Sequence, residues 1–231
     1  MIDSLALLGL ATLAFAGGHF LLSSAGVRGR LAGFAGEAVF RAGYSLFAAV
    51  TLVWMILEYR DAPHLPLWDA GIFGPPVILI FMLLASILLV CSVTTKNPTL
   101  VGMDGLHSTL EPGRGIYAVT RHPMLAAIAL WAISHVLVRG DAAAAIFFGG
   151  FFVLATIGMV HIDMRRRARA DDAWRSFEAG TSRMPFRAIV EGRRTLRPAE
   201  IGWWRIGLGV AVYFAALYVH EGVGMDLFPV H

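Results

Sequence analysis

Four histidines sit in or beside long apolar runs: His19 in AGGHFLLSS, His135 in ALWAISHVLV, His161 in IGMVHIDM and His220 in ALYVHEG. A neutral imidazole in such surroundings has one N–H and one lone pair to satisfy. It does so by hydrogen bonding to a neighbouring helix or by ligating a metal. Both readings are open for His19 and His135, whereas His161, two residues before Asp163, reads as an interfacial hydrogen-bonding residue. His64, between Pro63 and Pro66, reads as a solvated loop residue. A different chemistry is written in Arg121-His122-Pro123. Proline fits the first turn of a helix, where its missing N–H loses no partner, so a helix starts at Pro123. Arg121 and His122 then lie just ahead of that N-terminus, where free N–H groups and the helix dipole favour an anion. With Arg183 from a later basic stretch they form a candidate site for an anionic group of a cofactor or a substrate.

The elements that carry these residues are membrane spans. Of the 231 residues 57% are hydrophobic and 15% charged, and the mean hydropathy is +0.67, far more apolar than a soluble domain. A spanning helix needs about 20 apolar residues. Six runs of roughly that kind follow one another at Ser4–Val27, Ala38–Leu57, Ala70–Thr95, Pro123–Val138, Ala142–Ile162 and Trp203–His220. Gly74-Pro75-Pro76 delays the regular helix of the third run to about Pro76. The fourth and fifth are joined only by Arg139-Gly140-Asp141, so they form an antiparallel hairpin. Asp3 and the absence of early positive charge argue against a cleaved signal peptide, so the first run is read as a retained helix. The expected fold is an all-α integral membrane protein, one domain over residues 1–231, with about six helices and a long basic cytoplasmic loop.

Charge orients the bundle. Residues 28–41, 96–122 and 163–205 carry net +2, +1 and +5, whereas residues 58–70 and 221–231 each carry −2 and the turn at Gly140 is neutral. Odd loops are therefore cytoplasmic and both termini lie outside. The net charge of +3 and pI near 9.4 do not indicate nucleic acid, because the basic residues flank apolar spans, where a bilayer accounts for them. One cysteine, Cys91, excludes a disulfide within the chain. The loop at 96–122 is long and rich in Gly and Pro, holds His107, and is of the length that often carries function. The stretch TSRMPFRAIVEGRRTLRP mixes apolar and basic residues in a way that suits packing on the membrane face or on that other large loop.

Four blocks in order, GGHFLLSS, YRDAPHLPLWD, YAVTRHPMLAAIALWAISH and TSRMPFRAIVEGRRTL, resemble the NnrU family, whose members are associated with denitrification. The same blocks are similar to zeta-carotene isomerase, and TRHP alone also occurs in isoprenylcysteine and phospholipid methyltransferases. The resemblance implies an integral protein of the bacterial inner membrane. Its partners would be the bilayer and an apolar small molecule, such as a polyene, or a nitrogen-oxide enzyme system. It also implies haem b held by histidines, at the matching positions His19 and His135, with Arg121, His122 and Arg183 on a propionate or a headgroup. In the isomerase a cysteine stands three residues before the fourth-span histidine; here that residue is Ala132, so thiolate exchange at the iron is not available. Depth along the spans gives another pairing. His19 lies about 22 Å from the outer end of its span and His135 about 5 Å from the outer end of its own, at about 1.5 Å per residue. By depth His135 goes with His220 and His19 with His161. Two further functions suit the same blocks: an S-adenosylmethionine-dependent methyltransferase, with Arg121 and His122 on the cofactor carboxylate, and a non-catalytic membrane assembly factor.

Overall fold

The long helices pack side by side in the order Glu37–Arg60, Ile2–Ser23, Ala142–Arg167, Pro123–Arg139, Gly74–Thr94 and Trp203–Gly222. The helices of the computed structural model are α1 (Ile2–Ser23), α2 (Ala25–Ala35), α3 (Glu37–Arg60), α4 (Gly74–Thr94), α5 (Pro123–Arg139), α6 (Ala142–Arg167), α7 (Asp172–Ala179), α8 (Arg187–Val190), α9 (Pro198–Ile201) and α10 (Trp203–Gly222). The structure describes residues 2–96, 99, 113–168 and 172–222. His107 and the chain after Gly222 lie outside them.

All six expected apolar runs are helical, and the described residues are otherwise helical or irregular apart from one isolated bridge between Pro66 and Asp141. Four helices, α1, α3, α4 and α6, are long and apolar enough to cross a membrane. The 17-residue α5 is shorter. At about 1.5 Å per residue it reaches about 26 Å, less than a hydrocarbon core of about 30 Å. It is flanked by α4 and α6, and this central place suits a helix whose ends are covered by protein rather than lipid.

Boundaries differ from the sequence reading in three places. The first helix stops at Ser23, and α2 fills what reads as a loop, with none of its residues buried. Gly36, at φ 85°, separates α2 from α3. The fifth run continues to Arg167, because burial of Asp163 and Arg166 keeps its last turns inside the protein. The third begins with a 3-10 turn at Gly71–Phe73 followed directly by α4, with the prolines in its first turn.

Small residues set the closest helix contacts. A Cβ on Gly209 of α10 would come within 2.7 Å of Ile87 Cα in α4, and Gly150 of α6 lies against the Thr12 side chain of α1. Two apolar clusters fill the bundle. One, around Leu88, Ala126, Met159, Trp174 and Phe177, lies toward the arginine-rich end; the other, around Leu8, Met55, Ala132, Phe147 and Phe148, lies toward the opposite end.

Candidate functional site

The two ends of the bundle hold different chemistry. At the arginine-rich end Asp163, fully buried near the end of α6, gathers cations from two other segments. Its Oδ1 accepts from Arg121 Nε at 3.1 Å and His122 Nε2 at 2.8 Å, and its Oδ2 from Arg121 Nη2 at 2.7 Å and Arg183 Nε at 3.0 Å. Arg121 Nη2 also donates to Glu178 at 3.1 Å, and Arg167 donates to the same carboxylate. Backbone pairing holds the segments together: Arg121 N donates to Ser182 O, Phe186 N to Val119 O, and the Thr120 hydroxyl to Arg183 O. Trp174 and Phe177 of α7 close the site, Phe177 edge-on to Tyr117. The stretch from Thr181 to Phe186 thus packs on the other large loop.

The expected grouping of Arg121, His122 and Arg183 is present, but the anion they hold is the chain's own Asp163. Arg121 is 5% exposed and its guanidinium is shared between two carboxylates, so its charge is matched internally. Asp163 takes the place expected for an external carboxylate or propionate, and in the sequence it looks like the polar flank of an arginine run. Burial pushes the His122 imidazole below its usual pKa, and the Asp163 carboxylate opposes the shift without reversing it. The ring is neutral, donates from Nε2, and leaves Nδ1 buried without a partner among the described residues.

At the opposite end is a cavity of about 710 Å³. Trp131, His135 and Arg139 reach it from one face of α5 at intervals of four, and Tyr213, Ala216, Leu217 and His220 from one face of α10. Phe147 and Phe148 of α6, Ile78, Leu79 and Met82 of α4, and Tyr59 and Arg60 of α3 complete most of the wall. His135 stacks on Phe148 with centroids 4.7 Å apart, and Tyr59 on Phe147 at 4.4 Å. His135 Nδ1 lies 2.7 Å from Trp131 O and His220 Nδ1 lies 3.0 Å from Ala216 O. A carbonyl only accepts, so both Nδ1 atoms carry a proton, which in the neutral ring leaves the lone pair on Nε2.

The mouth is built by a clamp. Leu67 N and Trp68 N donate to Gly140 O, Ala142 N donates to Leu65 O, and the Trp68 indole donates to Leu137 O. Gly140 caps α5 in the left-handed conformation, with φ 62°, and the Trp68 carbonyl occupies the place a Cβ would need. This holds His64 Nε2 3.9 Å from Asp141 Oδ2. Asp141 is 2% exposed; its Oδ1 caps α6 by accepting from Ala144 N at 2.8 Å. In the sequence His64 and Asp141 read as loop and turn residues. The signal available was YRDAPHLPLWD, a block that spacing alone could not connect to a turn some 75 residues later.

His19 is not part of this cavity. Its Nδ1 is on Phe15 O at 2.6 Å and its ring lies edge-on to Tyr44. The parallel helices α1 and α6 match Phe15 to Phe151 and the Ser23 hydroxyl to His161 Nδ1, 3.4 Å away. His19, one turn before Ser23, is therefore level with about residue 157 of α6, whereas His135 is level with Phe148. At about 1.5 Å per residue the two rings differ in depth by about 14 Å, several times the span of two metal–nitrogen bonds of about 2 Å each. The structure does not bring His19 and His135 together. His135 and His220 line the same cavity, and His161 lies against Ser23 in the last turn of α1, one turn from His19.

A family model described as NnrU protein matches residues 7–227. The chain belongs to the NnrU family. Among curated proteins, 15-cis-zeta-carotene isomerase, chloroplastic, from Zea mays is 31% identical over 168 residues, 70% of this chain and 44% of that protein. The protein of the same name from Arabidopsis thaliana is 34% identical over 82 residues, 36% of this chain and 22% of its own length. The chain thus spans less than half the length of these curated relatives. No solved structure matches it. Most of the wall of the cavity falls within the residues matched by the NnrU model, including His64, His135, Asp141 and His220.

Proposed function

We propose that this chain is a membrane isomerase of carotenoid-type polyenes that holds haem b in the cavity through His135 and His220, with the arginine-rich end in the cytoplasm. The observation that carries the reading is the donor set. Two imidazoles from α5 and α10 face one apolar cavity, each with its Nδ1–H tied to a carbonyl and its Nε2 lone pair free. Metal-bound histidines are held in this way, the second nitrogen donating to a fixed acceptor. His135 and His220 would be the residues that hold a haem iron, for which two imidazoles are a suitable donor set. The cavity volume of about 710 Å³ is within the about 300–1,000 Å³ common for cofactor and small-molecule sites.

Bound there, haem would supply an iron centre able to exchange charge with a conjugated chain. The residues of the chain do the rest. Trp131, Phe147, Phe148 and Met82 give the polyene an apolar, aromatic wall and keep water from the double bond, and isomerisation moves no atoms in or out. The relatives named as 15-cis-zeta-carotene isomerases supply the substrate class. Ala132, buried in the second apolar cluster, puts no thiol one turn before His135, so histidine ligation of a bound haem would persist on reduction. The methyltransferase reading is disfavoured because Arg121 and His122, which would take the cofactor carboxylate, are already held by Asp163 and covered by α7.

The test is conversion of a 15-cis polyene in liposomes containing the haem-loaded protein, followed by chromatographic separation of isomers. All-trans product that forms in the dark with wild type and is lost with His135→Ala supports the proposal. Haem-loaded protein that leaves the cis polyene unchanged under both oxidising and reducing conditions overturns the isomerase reading.

A further inference from the structure

We infer that the mouth of the cavity is a carboxylate-binding rim, in which Arg60 and Arg139 receive the acid group of an amphipathic ligand whose apolar body lies along Trp131, Phe147 and Phe148. This deepens the reading of the same cavity given above. Its lining is segregated: the floor is aromatic and aliphatic, and the charged side chains Arg60, Arg139 and Asp141 come from helix ends at one side. Arg139 is one turn beyond His135 on the same face of α5, so a ligand touching His135 with its body brings a short acidic arm to Arg139. Neither arginine is consumed. Arg60 Nε donates to Asp61 at 3.1 Å in an ion pair with side chains 71% and 66% exposed, a kind that solvent screens and that yields readily to a competitor. Arg139 brings Nε to 3.5 Å from Asp141 Oδ2. A guanidinium has five N–H donors in a planar fork, which leaves each arginine donors for a second carboxylate.

Charge selects the head group. The lining holds two arginines and one buried carboxylate, Asp141, and the carboxylate on Arg60, Asp61, stands outside the lining in a solvent-exposed pair, so a monoanion that displaces Asp61 takes over its charge on Arg60. A phosphate would set a second negative charge beside Asp141 Oδ2, which is buried and has no hydrogen bond. A carboxylate is therefore the matching group, and it has two sources with one chemistry: the acid arm of a tetrapyrrole or the acid end of a polyene.

The experiment is quenching of tryptophan fluorescence, with Trp131 in the wall, on the full chain in nanodiscs. The four probes are protoporphyrin IX, its dimethyl ester, all-trans-retinoic acid and its methyl ester. A hydrogen bond to a charged group corresponds to about ten-fold in affinity or more. For at least one pair the free acid is expected to bind about ten-fold tighter than the ester in wild type. Arg60→Gln with Arg139→Gln should erase that preference and leave ester affinity unchanged. Both side chains are exposed at the rim, so the fold is not at stake. Acid and ester binding alike in wild type, or an acid preference surviving the double substitution, overturns the rim. If neither tetrapyrrole binds and retinoic acid still outcompetes its ester, the rim stands and the haem reading falls. If both tetrapyrroles bind equally well and the polyene pair does too, the haem reading stands and the rim falls. Binding of no probe overturns both.

Discussion

Asp163 holds the buried Arg121 and His122 together with the partly exposed Arg183, and its loss should be felt as stability rather than as chemistry. Removing one partner of a buried ion pair leaves an uncompensated charge and costs about 3–5 kcal/mol. Asp163→Asn should therefore lower the melting temperature in detergent sharply. Glu178→Gln, whose carboxylate is 17% exposed and also pairs with the half-exposed Arg167, should cost about 1 kcal/mol or less. The pH dependence has a fixed sign. His122 faces Asp163, Arg121 and Arg183, and its folded-state pKa lies below the unfolded value because burial disfavours the charged ring. Its neutral form therefore stabilises the fold fully above about pH 6.5, and that contribution is lost as pH falls from there toward the depressed folded value. Melting curves should show wild type and His122→Gln converging below about pH 6, because glutamine donates to Asp163 but does not titrate. A difference that grows on acidification would contradict this. Of these residues Arg121-His122-Pro123 was legible, because proline at a helix start is a local signal. Asp163 was not, because a carboxylate ahead of three arginines looks solvated until the chain is folded over it.

At the scale of elements, helix starts and stops followed proline and glycine closely: α5 begins at Pro123 and ends at Gly140, and α6 begins on the Asp141 cap. Helix α2 escaped notice because Ser24 and Gly36 punctuate a stretch of ordinary loop composition. The clamp over the α5–α6 turn is not legible either, being made mostly of backbone hydrogen bonds that no side-chain pattern announces. Gly140→Ala tests it. An alanine there would meet the Trp68 carbonyl in a left-handed conformation that costs about 1–3 kcal/mol. The expected result is faster hydrogen exchange at Leu67, Trp68 and Ala142 with little change at Arg121. Gly209→Val tests the α4–α10 contact, with about 1–3 kcal/mol of overpacking expected as a lower melting temperature. Since α10 carries His220, the same variant should also loosen whatever the cavity binds.

Over the whole molecule, the alternation of ends follows from counting spans. Segments 113–122 and 172–202 meet at one end, whereas residues 61–73 and the Gly140 turn meet at the other. Reporters inserted at Gly180 and at Pro66 should give opposite sidedness, Gly180 cytoplasmic; equal signals would contradict the topology. The depth of each histidine was also legible by counting residues, and it separated His19 from His135 where the family motif joined them. Motifs state which residues recur, whereas the rise per residue states which of them can touch.

The visible absorption spectrum of the purified protein, compared across four histidine variants, bears most directly on the cavity. A Soret band is expected in wild type from haem-replete cells. His135→Ala and His220→Ala should each abolish it or convert it to a five-coordinate form, whereas His19→Ala and His161→Ala should keep the wild-type spectrum. A protein that stays colourless after haem is added, or a band lost with His19→Ala and kept with His220→Ala, would contradict the assignment.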